Sequence, residues 1–140
     1  MYVLDTDTLS LLFAAHPRVL TRRNNVPSSE IAISIVTRIE VLQGRFDFVL
    51  KAATGEELLR AQLWLDKTIQ DLGRVEIVIP VDPATATEFD RLRQHKKLKK
   101  IGRGDLLIAA ITLANRATLV TRNVKDFRQM PGLQIENWAD

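Results

Sequence analysis

The fold is decided first by the stretch YVLDTDTLS (residues 2–10), in which a short apolar run passes into a helical pattern. Tyr2–Leu4 is predicted to be a buried strand that ends at Asp5. A helix is predicted over Thr8–Ala15, and Pro17 is predicted to stop it. The stretch therefore indicates a strand followed by a helix, with an acidic residue where one passes into the other.

The same order of strand and helix continues along the chain. Ile31–Ile33 is a second predicted strand, and Ser34 is suited to cap the helix that follows, whose apolar residues keep the 3.6-residue period. Gly44 is predicted to end or to kink that helix. Further strands are predicted at Val75–Ile79, Thr118–Val120 and Leu133–Ile135. Further helices are predicted at Phe46–Ala53, Glu56–Leu72, Pro83–Gln94 and Leu106–Asn115.

Strands that alternate with helices predict an α/β fold, with a mainly parallel sheet of four to five strands and helices on both faces. The 140 residues fit one domain, residues 1–140, and an apolar share of 46% is enough for a core. In such sheets, ligand sites form beyond the carboxyl ends of the strands. Functional side chains are therefore expected at that edge.

Composition excludes several classes of protein. With no cysteine, the chain has no disulfide scaffold, thiolate metal site or cysteine nucleophile. The longest apolar run, Leu106–Ala114, is about half of the ~20 residues that a membrane-spanning helix needs. The N-terminus carries acids where a signal peptide needs basic residues. We therefore expect a cytoplasmic protein that does not enter a membrane.

Positive charge is concentrated in one segment, although the net charge is only +3. The segment contains His95 and no acid, and its cations are Arg91, Arg93, Lys96, Lys97, Lys99, Lys100 and Arg103. Such a run is either a solvated helix end or loop, or a contact surface for a phosphate backbone.

The helix predicted over Glu56–Leu72 carries a wide apolar stripe. Its members are Leu58, Leu59, Leu63, Trp64, Leu65, Ile69 and Leu72. A stripe of this width predicts burial on more than one side, in the core of the protein. The alternative is a surface that binds a second copy or another protein.

Acidic and amide side chains border four of the predicted buried segments. They are Asp5 and Asp7 after the first strand, Glu40 at the border of a buried helix face, Asp105 before an apolar helix, and Asn123 and Asp126 after the Thr118–Val120 strand. Each has an ordinary alternative, such as a helix cap for Asp5 or Asp105, an exposed helix acid for Glu40 and loop positions for the last two. Together these side chains would destabilise the folded protein, because an ionised group beside an apolar segment is unfavourable unless a partner neutralises it.

A divalent cation would offset this cost. Oxygen ligands suit hard cations such as Mg²⁺ or Mn²⁺. The two histidines, His16 and His95, lie in unrelated polar segments, which argues against zinc. The helix N-terminus at Asp105 favours the ionised form of that carboxylate.

Four segments of the sequence resemble the PIN-domain family and, within it, the VapC-type toxins of bacterial toxin–antitoxin pairs. These segments are YVLDTDTLS, IAISIVTRIEVLQG around Glu40, IGRGDLLIAA around Asp105, and LVTRNVKDF near the C-terminus. They occur in order and extend over essentially the whole chain.

The resemblance implies a three-layer fold around a metal-dependent ribonuclease site. The acids of the family match Asp5, Glu40 and Asp105, and its variable fourth acid falls at Asn123, with Asp126 three residues on. An amide at this fourth position departs from the acidic pattern and brings no charge. Thr6 and Thr121 match the hydroxyl positions that accompany these acids in the family, and Asp7 is expected to support the site beside them.

The resemblance also implies a role for each group in RNA hydrolysis. Asp5 and Asp105 would be the main ligands of Mg²⁺ (or Mn²⁺), and Glu40 would ligate directly or through water and align the attacking water. Asn123 or Asp126 would complete the site. Contacts to the RNA backbone are expected from Lys96, Lys97, Lys99, Lys100 and Arg103.

Two kinds of protein partner are implied in the same way. VapC-type proteins form homodimers, and a cognate antitoxin docks a peptide across their helices and near the acids. The apolar stripe of Glu56–Leu72 is a candidate surface for that docking.

Two alternative functions remain at this stage. One is a catalytically weak PIN-like module that binds RNA or a partner, which the uncharged Asn123 favours. The other is a phosphatase of the haloacid-dehalogenase type, because Asp5-Thr6-Asp7-Thr8 partly matches its DxDx[TV] motif. The fifth position is Leu9, and no late acidic motif of that family is present, so this alternative is remote.

Overall fold

The computed structural model describes all 140 residues, which form five strands and seven helices. The strands are β1 (Tyr2–Leu4), β2 (Ile31–Ser34), β3 (Val78–Ile79), β4 (Thr118–Val120) and β5 (Gln134–Glu136). The helices are α1 (Thr6–Phe13), α2 (Pro17–Asn24), α3 (Ile35–Leu50), α4 (Gly55–Gly73), α5 (Pro83–Gln94), α6 (Arg103–Ala114) and α7 (Val124–Phe127). No helix combines the length and the apolar character that crossing a membrane requires.

All five strands run parallel, in the order β3-β2-β1-β4-β5. β1 lies at the centre, where Leu4 stands opposite Ile33 of β2 and Val120 of β4. The predicted α/β fold with a mainly parallel sheet is therefore confirmed. Because the strands are parallel, the residues that follow them meet at one edge of the sheet.

Helices cover both faces of the sheet, and each face has its own apolar core. Val3 belongs to the core that α5 and α6 cover, whereas Leu4 belongs to the core that α1, α2, α3 and α4 cover. Neighbouring residues of a strand point to opposite faces, so even the three residues of β1 supply both cores. The chain thus forms three layers, with the sheet in the middle.

Several predicted limits are wrong. The first helix begins at Thr6 rather than Thr8, because Asp5 caps it: the backbone N–H of Thr8 donates to Asp5 Oδ1 at 2.8 Å. Pro17 does not merely stop this helix but begins α2, since its fixed φ and missing N–H suit a first helical turn. β3 covers only the last two residues of the predicted Val75–Ile79 strand.

The predicted break at Gly44 is also wrong. Helix α3 continues through Gly44 to Leu50, so the predicted Phe46–Ala53 helix is largely its C-terminal part rather than a separate element. α3 packs along α4, and this packing overrides the weak helix propensity of a single glycine.

Gly44→Ala is expected to raise the free energy of unfolding by about 0.5–1 kcal/mol, because alanine loses less backbone entropy in a helix. A Cβ at Gly44 would have no heavy atom within 4 Å, so no contact opposes the gain. Urea denaturation followed by circular dichroism measures the change. Gly73→Ala, at the last residue of α4, is the control and should change stability less.

The prediction that the apolar stripe of α4 lies in the core is wrong over most of its length. Leu65 and Leu72 are buried, but Leu59 and Leu63 are each 69% exposed. Exposed apolar side chains also continue onto α3, where Leu50 is 81% exposed. We call this the α3–α4 apolar surface, made of Phe46, Phe48, Leu50, Leu58, Leu59, Leu63, Trp64 and Ile69.

Candidate active site

The carboxyl edge of the sheet gathers polar side chains from three strands. Asp5 directly follows β1, Ser34 ends β2, and Thr121 directly follows β4. The backbone N–H of Asp5 donates to the carbonyl of Val120 at 3.0 Å, which ties the ends of β1 and β4 together. All three side chains are buried, so the ends of these strands are shielded from solvent.

Asp5 is a nearly buried acid that hydrogen bonds hold in place. Its Oδ1 accepts from the Thr8 N–H, and the Thr121 hydroxyl also hydrogen-bonds its carboxylate. Burial raises the pKa of Asp5 above its usual value, and these hydrogen bonds only partly oppose the shift. Asp5 therefore caps α1, as the sequence alternative suggested, and its carboxylate also lies at the carboxyl edge of the sheet.

Asp105 lies half-buried in the first turn of α6, but it does not cap that helix. The N-cap position belongs to Gly102, and no side chain caps it. Burial raises the pKa of Asp105 to about 6, and neighbouring negative charges add to the effect. In order of size, these charges are those of Glu40, Asp5, Asp126 and Asp7. The fold thus gathers acids from three other segments around Asp105.

Glu40, on α3, is fixed between α1 and α6. Its Oε1 accepts a hydrogen bond from Thr6 Oγ1 at 2.6 Å. Its Oε2 lies so close to Gly104 that a Cβ there would be only 2.9 Å away. Asp7, the next residue after Thr6, is exposed and acts on Asp105 through its charge.

Asn123 and Asp126 form a pair at the start of α7. The Asp126 N–H donates to Asn123 Oδ1 at 3.4 Å, and Asn123 Nδ2 donates to Asp126 Oδ2 at 3.0 Å. The backbone N–H of Asn123 donates to Thr121 Oγ1 at 2.9 Å, which joins the pair to the end of β4. Of the two, only Asp126 brings a negative charge, and that charge helps to raise the pKa of Asp105.

The basic segment lies on the surface between α5 and α6. Lys96–Leu98 forms a short 3-10 turn that the buried side chain of Leu98 anchors. The cations of this segment are exposed, and no ion pair of the structure includes Lys96, Lys97, Lys99, Lys100 or Arg103. Because α6 begins at Arg103 and carries Asp105 in its first turn, this surface starts beside the acidic edge.

The donor set at this edge suits a hard divalent cation. It consists of carboxylate, amide and hydroxyl oxygens, with no imidazole or thiolate. Four neighbouring carboxylates raise the pKa of Asp105, and a divalent cation would relieve that repulsion. No three carboxylate or imidazole side chains converge here in the manner of a preformed metal centre.

Two contacts near Glu40 were not predicted from the sequence: one between Thr37 and Thr6, and one between Gly104 and Glu40. Thr37 Oγ1 lies 3.3 Å from Thr6 Oγ1, and Gly104 faces the Glu40 carboxylate. The available signals were a threonine one helical turn before Glu40 and a glycine directly before Asp105. Neither spacing reveals the contact, because the partners lie on different helices.

Comparisons with known proteins show which proteins the chain is similar to. The model of the PIN domain family matches residues 2–133. A protein of Rickettsia felis named Ribonuclease VapC2 is 34% identical over 146 residues, covering 99% of this chain and 98% of that protein. The tRNA(fMet)-specific endonuclease VapC of Salmonella typhimurium is 26% identical over 140 residues, with 99% and 98% covered. The crystal structure of VapBC2 from Rickettsia felis bound to a DNA fragment from their promoter includes a chain with a TM-score of 0.76 and 30% identity, covering 98% of each chain.

Proposed function

This chain belongs to the PIN-domain family, and from that premise we propose that it is a metal-dependent endoribonuclease, the toxin of a VapBC-type toxin–antitoxin pair. The observation that carries the proposal is the set of acids from α1, α3 and α7 whose charges raise the pKa of Asp105. Relatives that match almost the whole chain are named as VapC ribonucleases, which supports the same activity.

Mg²⁺ or Mn²⁺ is the cofactor that these residues fit. Asp5 and Asp105 would hold the ion, and Glu40 would ligate it directly or through water. A bound divalent cation supplies neutralisation of the phosphate charge and acidification of a water molecule. Asp126 would complete the acidic site, because it carries the charge that Asn123 lacks.

The side chains of this protein would then orient the water and the phosphate. Glu40, which accepts a hydrogen bond from the Thr6 hydroxyl, would align the attacking water. Asn123 holds Asp126 through its amide, and the Thr121 hydroxyl holds Asp5. The half-buried edge excludes part of the solvent, which strengthens these electrostatic interactions.

RNA is the proposed substrate, and the exposed basic segment is the proposed contact to its backbone. Unpaired lysines at the edge of an acidic site can hold phosphates that bare carboxylates would repel. Because its proposed partners are RNA and an antitoxin, we expect the protein to act in the cytoplasm.

Replacing Lys96, Lys97, Lys99 and Lys100 together by Gln is expected to raise the KM for RNA and to leave kcat nearly unchanged. It should also lower the slope of log affinity against log salt concentration by as much as about 3, since each lost phosphate contact contributes about 0.7–0.9. Binding of inactive protein to labelled RNA across a salt series measures the slope. Lys51→Gln, at the C-cap of α3, is the control and should leave the slope unchanged.

The activity itself is tested with purified, antitoxin-free protein and a pool of structured RNA. Cleavage should require Mg²⁺ or Mn²⁺ and should stop when EDTA removes the metal. If well-folded protein cleaves no RNA at any metal concentration, the ribonuclease proposal fails and the catalytically weak binding module takes its place. The uncharged Asn123 is the feature that favours that second candidate.

A cognate antitoxin is the proposed partner of the α3–α4 apolar surface. Eight large apolar side chains are exposed there, and a concentration of exposed apolar side chains is typical of a surface that binds another protein. The solved VapBC2 complex of Rickettsia felis supports a toxin–antitoxin assembly. Co-expression with the product of an adjacent small gene should yield a stable complex, and Leu59→Ser with Leu63→Ser should weaken it.

We also propose that the protein forms a homodimer, which sedimentation equilibrium of the antitoxin-free protein tests.

The phosphatase alternative has no support, because the relatives that match across the chain are named as ribonucleases.

A further inference from the structure

The carboxylate of Glu40 lies between two different helices, and one of its oxygens accepts a hydrogen bond. Thr6 Oγ1, on α1, donates to Oε1 at 2.6 Å. Oε2 lies against Gly104 on α6, where an added Cβ would stand 2.9 Å from Oε2 and 3.6 Å from Cδ. An alanine Cβ at residue 104 would stand too close to Oε2, so the Glu40 carboxylate would have to shift from its present position.

The number of available protons decides which hydroxyl donates in each hydrogen bond between Ser34, Thr37 and Thr6. An ionised carboxylate can only accept, so the single hydroxyl proton of Thr6 is committed to Glu40. The Thr37 hydroxyl, 3.3 Å from Thr6 Oγ1, must then be the donor of that pair. Ser34 Oγ, 3.4 Å from Thr37 Oγ1, donates in turn to Thr37. The three hydroxyls thus form a relay in which every proton points toward Glu40.

The inner end of this relay is rigid. Ser34 and Thr37 are each 0% exposed, so no water competes for their hydroxyls. Ser34 is also the N-cap of α3, because the Thr37 N–H donates to its Oγ at 3.1 Å. Hydrogen bonds that point the same way polarise one another, so the Thr37 hydroxyl makes Thr6 a stronger donor to Glu40.

We propose that Thr37 and Gly104 are positioning residues for Glu40. Thr37 fixes the direction of the Thr6 hydroxyl, and Gly104 leaves the space that Glu40 Oε2 occupies. This inference rests on the proposed function, in which Glu40 ligates a divalent cation or aligns the attacking water. It assigns a role to two residues that act through Glu40.

The test uses Thr37→Val, which keeps the side-chain volume and removes the hydroxyl, and Thr37→Ser, which retains the hydroxyl. Gly104→Ala is the second variant, and it requires no unusual backbone change because Gly104 lies in the first turn of α6. Thr112→Val is the matched control for Thr37→Val: Thr112 is buried, but its hydroxyl donates only to the Ile108 carbonyl of its own helix. Gly44→Ala is the matched control for Gly104→Ala.

Two readouts are measured for each variant: Mn²⁺ affinity by titration calorimetry of the full chain without RNA, and the kcat and KM of RNA cleavage. Thr37→Val and Gly104→Ala should each weaken Mn²⁺ binding by about tenfold and lower kcat by about tenfold, with KM unchanged. Thr37→Ser should restore both values, and the two control variants should match the wild type.

Wild-type Mn²⁺ affinity together with wild-type kcat, in either Thr37→Val or Gly104→Ala, would overturn the inference. So would a wild-type protein that binds no Mn²⁺. If the wild type binds Mn²⁺ but cleaves no RNA, the proposed function fails, while the Mn²⁺ affinities of the variants still decide the role of Thr37 and Gly104.

Discussion

Asp105→Asn is expected to abolish RNA cleavage and, in the metal-free protein, to raise the melting temperature. Cleavage should fall on the order of a hundredfold or more, because loss of a charged ligand of the proposed cation would remove several kcal/mol of transition-state stabilisation. Stability should rise because the ionised carboxylate of Asp105 is half-buried and repelled by its neighbours, which raises its pKa to about 6. The neutral amide keeps the shape and removes that penalty.

The gain in melting temperature should depend on pH. Above a pH of about 6 the Asp105 carboxylate is charged in both the folded and the unfolded chain, so the wild type bears the full penalty of the raised pKa. As the pH falls from about 6 toward the usual pKa of 3.8, the folded protein takes up a proton that the unfolded chain does not, and the penalty is relieved. The difference between Asp105→Asn and wild type should therefore be larger at pH 7 than at pH 5.

Thermal denaturation in EDTA at both pH values, with cleavage assays in Mg²⁺, measures the two effects. Asp90→Asn, an exposed acid on α5, is the control and should change neither cleavage nor stability appreciably. A lower melting temperature for Asp105→Asn at pH 7 would show that its carboxylate is stabilising, against the direction of its pKa shift.

Asp5→Asn and Asp5→Ala are expected to lose cleavage equally but to differ in stability. Both remove the carboxylate charge, so each should lower cleavage on the order of a hundredfold or more. Asn can still accept from the Thr8 N–H as a helix cap, whereas Ala cannot, so only Asp5→Ala should lose about 1 kcal/mol of stability.

Urea denaturation of the two Asp5 variants, beside the cleavage assay, separates capping from catalysis. Thr54→Ala is a useful comparison, because Thr54 caps α4 and makes no contact to the acids, so it should lower stability without slowing cleavage. Substantial cleavage by Asp5→Asn would mean that Asp5 serves α1 alone and that the site depends on other acids.

Much of the fold was predictable because it depends on local signals. The limits of β1, β4 and α5 follow from short apolar runs and from Pro83 at a first helical turn, and the structure agrees with them. Asp5, Glu40 and Asp105 were identified because acids beside apolar segments are costly, and the structure places all three at one edge of the sheet.

Two of the wrong predictions failed because tertiary packing, which a local pattern does not record, decided the outcome. Gly44 does not break α3, because α3 packs along α4 for much of its length. The stripe of α4 has the periodicity of a core helix, yet Leu59 and Leu63 remain exposed because no element of the chain covers them. Periodicity shows that a face is apolar but not what covers it.

The parallel α/β architecture, the acids and the basic segment could therefore be predicted from the sequence alone, because each depends on adjacent residues or on a short period. How the acids are held depends on three-dimensional packing. The contacts of Glu40 with Thr6 and Gly104 join residues on three helices, and the pairing of Asn123 with Asp126 matters to the site only because α7 brings it to Asp105. Such contacts depend on how helices and strands pack in space, which no local pattern of residues records.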